Sequence, residues 1–228
     1  MKKWTLLERV TTPDGSNLSL AEHDGSYAIR VNGRELMSSR HSFSEEQLGV
    51  VACQPLRLMK GARVLIGGLG LGFTLRAALS TLARDAHVVV AELLPEVVVW
   101  NQNPAYRLSS HALADPRTQI VIGDVARVIE QSEACFDAIM LDADNQTTSM
   151  NTAGNTRLYQ AAGLAAVHRA LTKHGRAVYW SAGEEPAFVD RFAKSGFEVE
   201  VQRVRRHPSS KASHFLLIGR SVTGRPRT

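Results

Sequence analysis

The glycine-rich segment Gly67-Gly68-Leu69-Gly70-Leu71-Gly72 constrains the fold more than any other feature of the sequence. A short apolar run over residues 63–66 precedes it, and a helical pattern over 73–83 follows. Glycines between a strand and a helix let the backbone turn tightly and approach a ligand closely. We therefore expect Gly68, Gly70 and Gly72 to contact a cofactor, although a tight turn without a ligand leaves the same pattern.

Strand and helix patterns alternate after Gly61. The predicted strands span residues 63–66, 87–91, 119–122, 136–141 and 176–181, and the predicted helices span 73–83, 95–102, 156–172 and 186–194. Such alternation predicts a parallel sheet that is flanked by helices. Only a short loop joins the last two runs, 197–205 and 214–220, so we expect them to be antiparallel neighbours. The predicted fold is a Rossmann-like α/β sheet, mostly parallel, with an antiparallel C-terminal strand.

The N-terminal region has a different pattern. Short alternating runs between residues 4 and 37 are separated by Asp24-Gly25 and Asn32-Gly33, which are strong hairpin signals. We predict a small β-meander over residues 1–40, followed by a nucleoside-binding catalytic domain over 41–228.

Acidic residues end three consecutive predicted strands. Glu92 lies 20 residues after Gly72, where an acid can accept hydrogen bonds from both hydroxyls of a ribose. Asp124 can accept from an adenine amino group, and Asp142 would lie beside the reaction centre. Ligands of open parallel sheets bind at the carboxyl ends of the strands. For each acid alone, a helix N-cap is the alternative.

The glycine spacing favours a nucleoside over a dinucleotide. A dinucleotide fold requires G-x-G-x-x-G, but Phe73 occupies the third glycine position, so the pattern is G-x-G-x-G. The sequence also lacks the G-x-x-x-x-G-K-[ST] of a P-loop.

Several segments resemble the spermidine synthases and their relatives on the class I methyltransferase fold. They read VLIGGLGLGFTLR, VVVAELLPEVV, DPRTQIVIGDVARVI, FDAIMLDAD and LYQAAGLAAVHRAL, and the similarity runs over about residues 18–217. The resemblance implies S-adenosylmethionine or its decarboxylated form as cofactor, without a metal. It also implies that Glu92 holds the ribose, that Asp124 holds the adenine and that Asp142 is the catalytic acid–base group. Gln54 and Tyr159 match substrate positions by their place alone.

Two departures from the family pattern concern the substrates. The family's glycine turn reads GGGDGG, and its aspartate helps to hold the amino end of the aminopropyl donor, whereas Gly70 stands there in this chain. The family's catalytic stretch reads D-[ST]-[ST]-D-P, whereas this chain has Asp142-Ala143-Asp144-Asn145-Gln146, with Asp144 out of register. A dication such as putrescine is costly to bury without paired carboxylates. Methyl transfer therefore stays open beside aminopropyl transfer.

We expect a transferase that moves a group from an adenosyl-sulfonium donor to a small, amine-type acceptor. The alternatives are a methyltransferase of a small molecule, a non-catalytic nucleoside-binding protein and an RNA-modifying enzyme. Trp100 and Trp180 either wall the pocket or pack in the core. Ser44-Glu45-Glu46 either caps a helix or lies near the place where the family closes its pocket.

The charge and cysteine content limit the partners. The formal net charge is +5. Part of the basic excess lies near the C-terminus, at Arg203, Arg205, Arg206, Lys211, Arg220, Arg225 and Arg227. No aromatic residues alternate with these charges to stack on bases, so we expect a solvated hairpin and no nucleic-acid partner. No apolar run is long enough for a membrane span. Cys53 and Cys135 lie in apolar stretches, which favours free thiols in the cytoplasm. A homodimer is compatible with these features.

Overall fold

The computed structural model describes residues 3–12, 15–142, 157–207, 210 and 212–222. The described strands, β1 to β11 in chain order, are Thr5–Thr11, Asn17–His23, Ser26–Val31, Arg34–Ser38, Arg63–Gly67, His87–Glu92, Thr118–Ile122, Phe136–Leu141, Leu171–Ser181, Phe197–Arg205 and Ser213–Ser221. The described α-helices, α1 to α7, are Phe43–Cys53, Phe73–Thr81, Pro95–Gln102, Ser110–Leu113, Val125–Glu130, Ala161–Ala170 and Pro186–Lys194. Short 3₁₀ turns occupy Ser39–His41, Gln54–Leu56 and Pro104–Tyr106.

The larger sheet confirms the predicted fold class. Its seven strands lie in the order β10-β11-β9-β8-β5-β6-β7. β5 pairs in parallel with β6 and β8, and further outward β7 is parallel to β6 and β9 is parallel to β8. β11 is inserted between β9 and β10 and is antiparallel to both. Every residue of β8 is buried, as expected for a central parallel strand that helices cover on both faces.

The N-terminal sheet is an antiparallel meander in the order β1-β2-β3-β4. Asp24 and Asn32 have φ of 50°, and the glycines that follow them also have positive φ, which confirms the two predicted hairpin turns. Leu18, Leu20 and Ile29 are at most 2% exposed and belong to the same apolar core as residues of the larger sheet. The meander is therefore packed against the elements of the larger sheet.

The predicted boundary between the helix over 156–172 and the strand over 176–181 is wrong. The described helix spans Ala161–Ala170, and strand β9 already begins at Leu171. Leu171 is buried and pairs with Phe136 of β8, so tertiary pairing overrides the helical pattern at this point. His174, with φ of 66°, lies in an irregularity within the strand. The predicted start of the helix at residue 156 lies outside the described residues.

Across the described ranges, no helix combines the length and the apolar character that crossing a membrane requires.

Candidate functional site

The carboxyl ends of β5, β6, β7 and β8 border a cavity of about 230 Å³. These strands are parallel neighbours, so their ends meet at one edge of the sheet. Residues of the meander and of α1 and β9 close the other side. The described lining consists of Leu18, Ile29, Leu36, Met37, Glu45, Gly67, Gly68, Leu69, Gly70, Phe73, Thr74, Ala91, Glu92, Leu93, Leu94, Val97, Gly123, Asp124, Val125, Leu141, Asp142, Leu158 and Trp180.

The three predicted glycines differ in their surroundings. Gly68 and Gly70 line the cavity with φ of 90° and 54°, a left-handed region in which other residues are strained. Gly72 has φ of 78° and is the N-cap of α2, outside the cavity lining. A Cβ at Gly72 would collide with the side chain of Ser109. Gly72 therefore permits close packing at the start of the helix.

Asn101 anchors the glycine turn, a function that the sequence reasoning missed. This fully buried side chain donates hydrogen bonds of 2.8 Å to the carbonyls of Gly70 and Val97. The hydroxyl of Ser109 donates to Asn101 Oδ1 at 2.5 Å. The only sequence signal is a polar residue following the apolar run over 97–100 of a helix. The resulting network fixes the turn to helix α3.

Glu92 ends β6 and is only 7% exposed. Its carboxylate oxygens accept from the backbone N–H of Leu69 at 2.7 Å and of Leu94 at 2.9 Å. Burial raises the pKa of Glu92, and the backbone N–H groups of Leu94, Leu69, Gly70 and Leu93 oppose this increase. An ionised carboxylate has about four lone-pair positions, and the hydrogen bonds from Leu69 and Leu94 use two of them, so Glu92 can still accept from a further donor.

Asp124 caps a helix and also lies at the cavity. It is the N-cap of α5, where Oδ1 accepts from the backbone N–H of Ala126 at 2.8 Å. It also lines the cavity. Oδ2 lies 3.7 Å from the guanidinium of Arg157, which is half exposed. The cap therefore fixes the carboxylate at the edge of the cavity.

Of the predicted catalytic and substrate residues that the structure describes, one lines the cavity and two do not. Asp142 follows β8, is half-buried and lines the cavity. Gln54 is exposed in the turn after α1, outside the described lining, because the chain there turns towards solvent. Tyr159 packs against the rings of Tyr179 and Phe188 at 5.3 and 5.1 Å, which makes it a core contact outside that lining. Asp144 lies outside the described residues.

A second acid lines the cavity on helix α1. Glu45 Oε2 accepts from the hydroxyl of the buried Ser44 at 2.8 Å, and His214 Nδ1 lies 3.0 Å from the same hydroxyl oxygen. The N-cap of α1 is Ser42, so Ser44 does not cap the helix. Of Ser44-Glu45-Glu46, Glu45 therefore lines the cavity, while Glu46 accepts from the hydroxyl of the N-cap residue Ser42 at 2.9 Å. Burial raises the pKa of Glu45, and the Ser44 hydroxyl and the Arg206 charge oppose this increase.

Trp180 is the tryptophan that reaches the cavity, whereas Trp100 is buried in the core and absent from the described lining. The Trp180 ring packs edge-on against His214, with centroids 4.6 Å apart. Its Nε1 is buried and has no hydrogen-bond partner among the described residues.

Met37 of the meander covers the glycine turn. A Cβ built at Gly70 would approach Met37 Cε and Sδ at 2.6 and 2.7 Å. The thioether therefore occupies the place where a side chain at position 70 would extend.

The part of the chain that the structure describes contains no group of three or more His, Cys, Asp or Glu side chains placed to hold a metal ion.

Comparison with known proteins identifies the fold. No protein-family model and no curated protein sequence matches this chain. A crystal structure of a spermidine synthase in complex with the transition-state analogue AdoDATO superposes with a TM-score of 0.71 at 20% identity, covering 95% of this chain and 72% of that one. The spermidine synthase from Thermotoga maritima superposes with a TM-score of 0.73 at 20% identity, with the same coverage of both chains. A probable spermidine synthase from Corynebacterium glutamicum gives 0.63 at 16% identity, covering 96% and 81%. The chain has a spermidine synthase-like fold.

Proposed function

We propose that this chain is a transferase that takes an adenosyl-sulfonium donor, S-adenosylmethionine or its decarboxylated form, and moves a group from the donor sulfur to a small amine. One observation supports this proposal above all. The glycine turn and the three strand-end acids, Glu92, Asp124 and Asp142, line a single cavity. The likeness to a spermidine synthase that was crystallised with AdoDATO adds support from the fold.

The nucleoside occupies the half of the cavity between the glycine turn and β7. The Glu92 carboxylate accepts hydrogen bonds from the ribose hydroxyls. It uses the lone pairs that its hydrogen bonds from Leu69 and Leu94 leave available. Asp124 accepts from the adenine amino group with Oδ2, since Oδ1 is used for the helix cap. Gly68 and Gly70 carry no side chain, so the nucleoside can lie against the backbone.

The reaction is an in-line displacement at the carbon bound to the sulfonium. The amine lone pair forms the C–N bond, and the C–S electron pair stays on sulfur as a neutral thioether. The nitrogen then carries an extra proton, for which Asp142 is the acceptor. The leaving group is neutral, so most of the rate enhancement comes from positioning the two reactants.

Methyl transfer from S-adenosylmethionine is the second candidate. It is favoured by Gly70, which replaces the acid that the resemblance places there to hold the amino end of the aminopropyl donor. Met37 fills the space beside Gly70 with a neutral thioether. The described structure thus has no carboxylate at that point of the turn.

A turnover assay tests both candidates. Each donor is incubated with the protein and a panel of amines, and the nucleoside product is identified by mass spectrometry. Methylthioadenosine from the decarboxylated donor reports aminopropyl transfer, and S-adenosylhomocysteine from S-adenosylmethionine reports methyl transfer. Asp142→Asn is expected to suppress the product. Nucleoside binding without turnover of any amine would favour a non-catalytic binding protein, and a salt-sensitive complex with RNA would favour RNA modification.

A further inference from the structure

We propose that Glu45 of helix α1 binds the ammonium group that the donor carries beyond its sulfur, and that Ser44 positions the Glu45 carboxylate for this contact. The inference rests on the proposed function, because it assigns a residue to one end of the same donor. S-adenosylmethionine and its decarboxylated form both carry this ammonium group, so the assignment does not depend on which of them is the donor.

Among the described residues that line the cavity, every charged one is an acid. Glu45, Glu92, Asp124 and Asp142 reach it, and no lysine, arginine or histidine belongs to this described lining. The proposed function uses Glu92 and Asp124 for the nucleoside and Asp142 for the proton of the acceptor. The carboxylate of Glu45 has no part in these steps, and the ammonium group of the donor has no partner in them. A carboxylate and an ammonium group form strong, charge-assisted hydrogen bonds.

The order of the strands sets the direction of the donor in the cavity. Glu92 ends β6, and Asp124 follows β7, which is the edge strand, so the ribose and the adenine extend towards that edge. On the other side of β6 lies β5, with β8 beyond it. The sulfur, and the chain that bears the ammonium group, therefore lie over the ends of β5 and β8, beside the glycine turn.

Helix α1 brings Glu45 to the start of α2, which follows the glycine turn. The hydroxyl of Thr74, a cavity-lining residue in the first turn of α2, donates to the backbone carbonyl of Glu45 at 3.1 Å. One turn further along α1, a Cβ at Gly49 would approach the carbonyl oxygen of Thr74 at 2.7 Å, so the two helices are in close backbone contact. This packing puts Glu45 on the side of the cavity that the glycine turn borders.

A chain of two hydrogen bonds holds the Glu45 carboxylate. Ser44 is fully buried and donates its single hydroxyl proton to Glu45 Oε2 at 2.8 Å, so His214 Nδ1–H is the donor in the 3.0 Å contact with Ser44 Oγ. A carboxylate has about four lone-pair positions, so Glu45 can still accept from an ammonium group. Burial raises the pKa of Glu45, and the Ser44 hydroxyl opposes this increase. A cation bound beside the carboxylate offsets the cost of burying its charge.

Calorimetric titrations with three adenosyl ligands test the proposal. The decarboxylated donor and S-adenosyl-thiopropylamine both carry the ammonium group, but the sulfur of the second is uncharged. Methylthioadenosine has an uncharged sulfur and no ammonium group. In Glu45→Gln, we expect both ammonium ligands to bind at least about tenfold more weakly, because a hydrogen bond between charged groups is lost. The affinity for methylthioadenosine should change by less than about twofold.

Two further variants complete the test. Ser44→Ala should weaken the two ammonium ligands by about threefold and leave methylthioadenosine within about twofold. A general loss of structure would weaken all three ligands, so this selectivity reports on positioning. Glu46→Gln is the matched control, because Glu46 is the next residue of the helix but accepts from Ser42 and is outside the described lining. It should change each affinity by less than about twofold.

The assignment of Glu45 is overturned if S-adenosyl-thiopropylamine binds the natural protein no more tightly than methylthioadenosine. Unchanged affinities in a folded Glu45→Gln, or equal losses for all three ligands, would also overturn it. A loss confined to the decarboxylated donor would mean that Glu45 acts on the sulfonium charge instead. Unchanged binding in Ser44→Ala would remove the positioning role of Ser44. Failure of all three ligands to bind the natural protein would overturn the proposed function itself, and this inference with it.

Discussion

The side-chain amide of Asn101 donates a 2.8 Å hydrogen bond to the backbone carbonyl of Gly70. This bond connects helix α3, which follows the acid Glu92, to the glycine turn that lines the cavity. The carboxylate of Glu92, at the end of β6, also holds this turn, because it accepts a hydrogen bond from the backbone N–H of Leu69. The shape of the turn therefore depends on two buried polar side chains as well as on its glycines.

The first prediction concerns this anchor. Asn101→Ala removes the donor for one buried and one partly buried backbone carbonyl, so the free energy of unfolding should fall by about 1–3 kcal/mol. Urea denaturation followed by circular dichroism measures the change. Gln102→Ala, an exposed neighbour on the same helix, serves as the control and should change stability by less than about 0.5 kcal/mol. Equal stability of the two variants would show that the network contributes nothing.

Much of the fold could be predicted from the sequence because its signals are local. Asp24-Gly25 and Asn32-Gly33 specify hairpin turns, and apolar runs that end in acids specify parallel strands. The start of β9 at Leu171 could not be predicted, because the pairing with Phe136 depends on a strand 35 residues earlier.

The strand-end acids of the cavity were predictable, but the residues on its other side were not. Glu92, Asp124 and Asp142 end strands, so one rule places them together. Glu45 and Trp180 come from elements far apart in sequence, and only packing brings them to one cavity. Gln54 and Tyr159 were chosen by position alone, and the structure places both outside the described lining.

The second prediction concerns the adenine. Asp124→Asn keeps an N-cap of similar strength but replaces a carboxylate oxygen by an amide donor. Affinity for adenosyl ligands should therefore fall by about tenfold, with little change for inosyl analogues, which lack the amino group. Asp124→Ala removes the helix N-cap, so its free energy of unfolding should also fall by about 1 kcal/mol. Equal losses for adenosyl and inosyl ligands in Asp124→Asn would give Asp124 another role.

The third prediction concerns donor choice. With Gly70 in place of an acid, we expect S-adenosylmethionine to bind at least as tightly as its decarboxylated form. Gly70→Asp should shift the preference towards the decarboxylated donor, because a carboxylate attracts its ammonium group. Met37 occupies the space for that side chain, so the variant is made together with Met37→Ala, and Met37→Ala alone is the control. A tenfold preference of the natural protein for the decarboxylated donor, about 1.4 kcal/mol, would contradict the methyl-transfer candidate.

The fourth prediction concerns His214. Burial, followed by the charge of Arg206, lowers the pKa of this imidazole below its ordinary value of 6.5. A lowered folded-state pKa means that His214 contributes stability above pH 6.5 and loses it as the pH falls towards the folded-state value. Arg206→Gln removes one of these causes, so the pKa should rise, while burial keeps it below 6.5.

Titration of the imidazole protons by NMR measures this pKa, and the melting temperature between about pH 5 and 7 should depend less steeply on pH in Arg206→Gln. Arg203→Gln is the matched control. An unchanged pKa of His214 in Arg206→Gln would show that the Arg206 charge does not act on His214.

The most direct test of the central claim is calorimetric titration of the protein and of Glu92→Ala with S-adenosylmethionine and its decarboxylated form. Glu96→Ala, an acid four residues away, is the control, and circular dichroism confirms that each variant is folded. The account predicts one site for at least one donor, weakened by about 1.5–3 kcal/mol in Glu92→Ala and unchanged in Glu96→Ala. Absence of binding by both donors, or equal affinity in the natural protein and a folded Glu92→Ala, would contradict it.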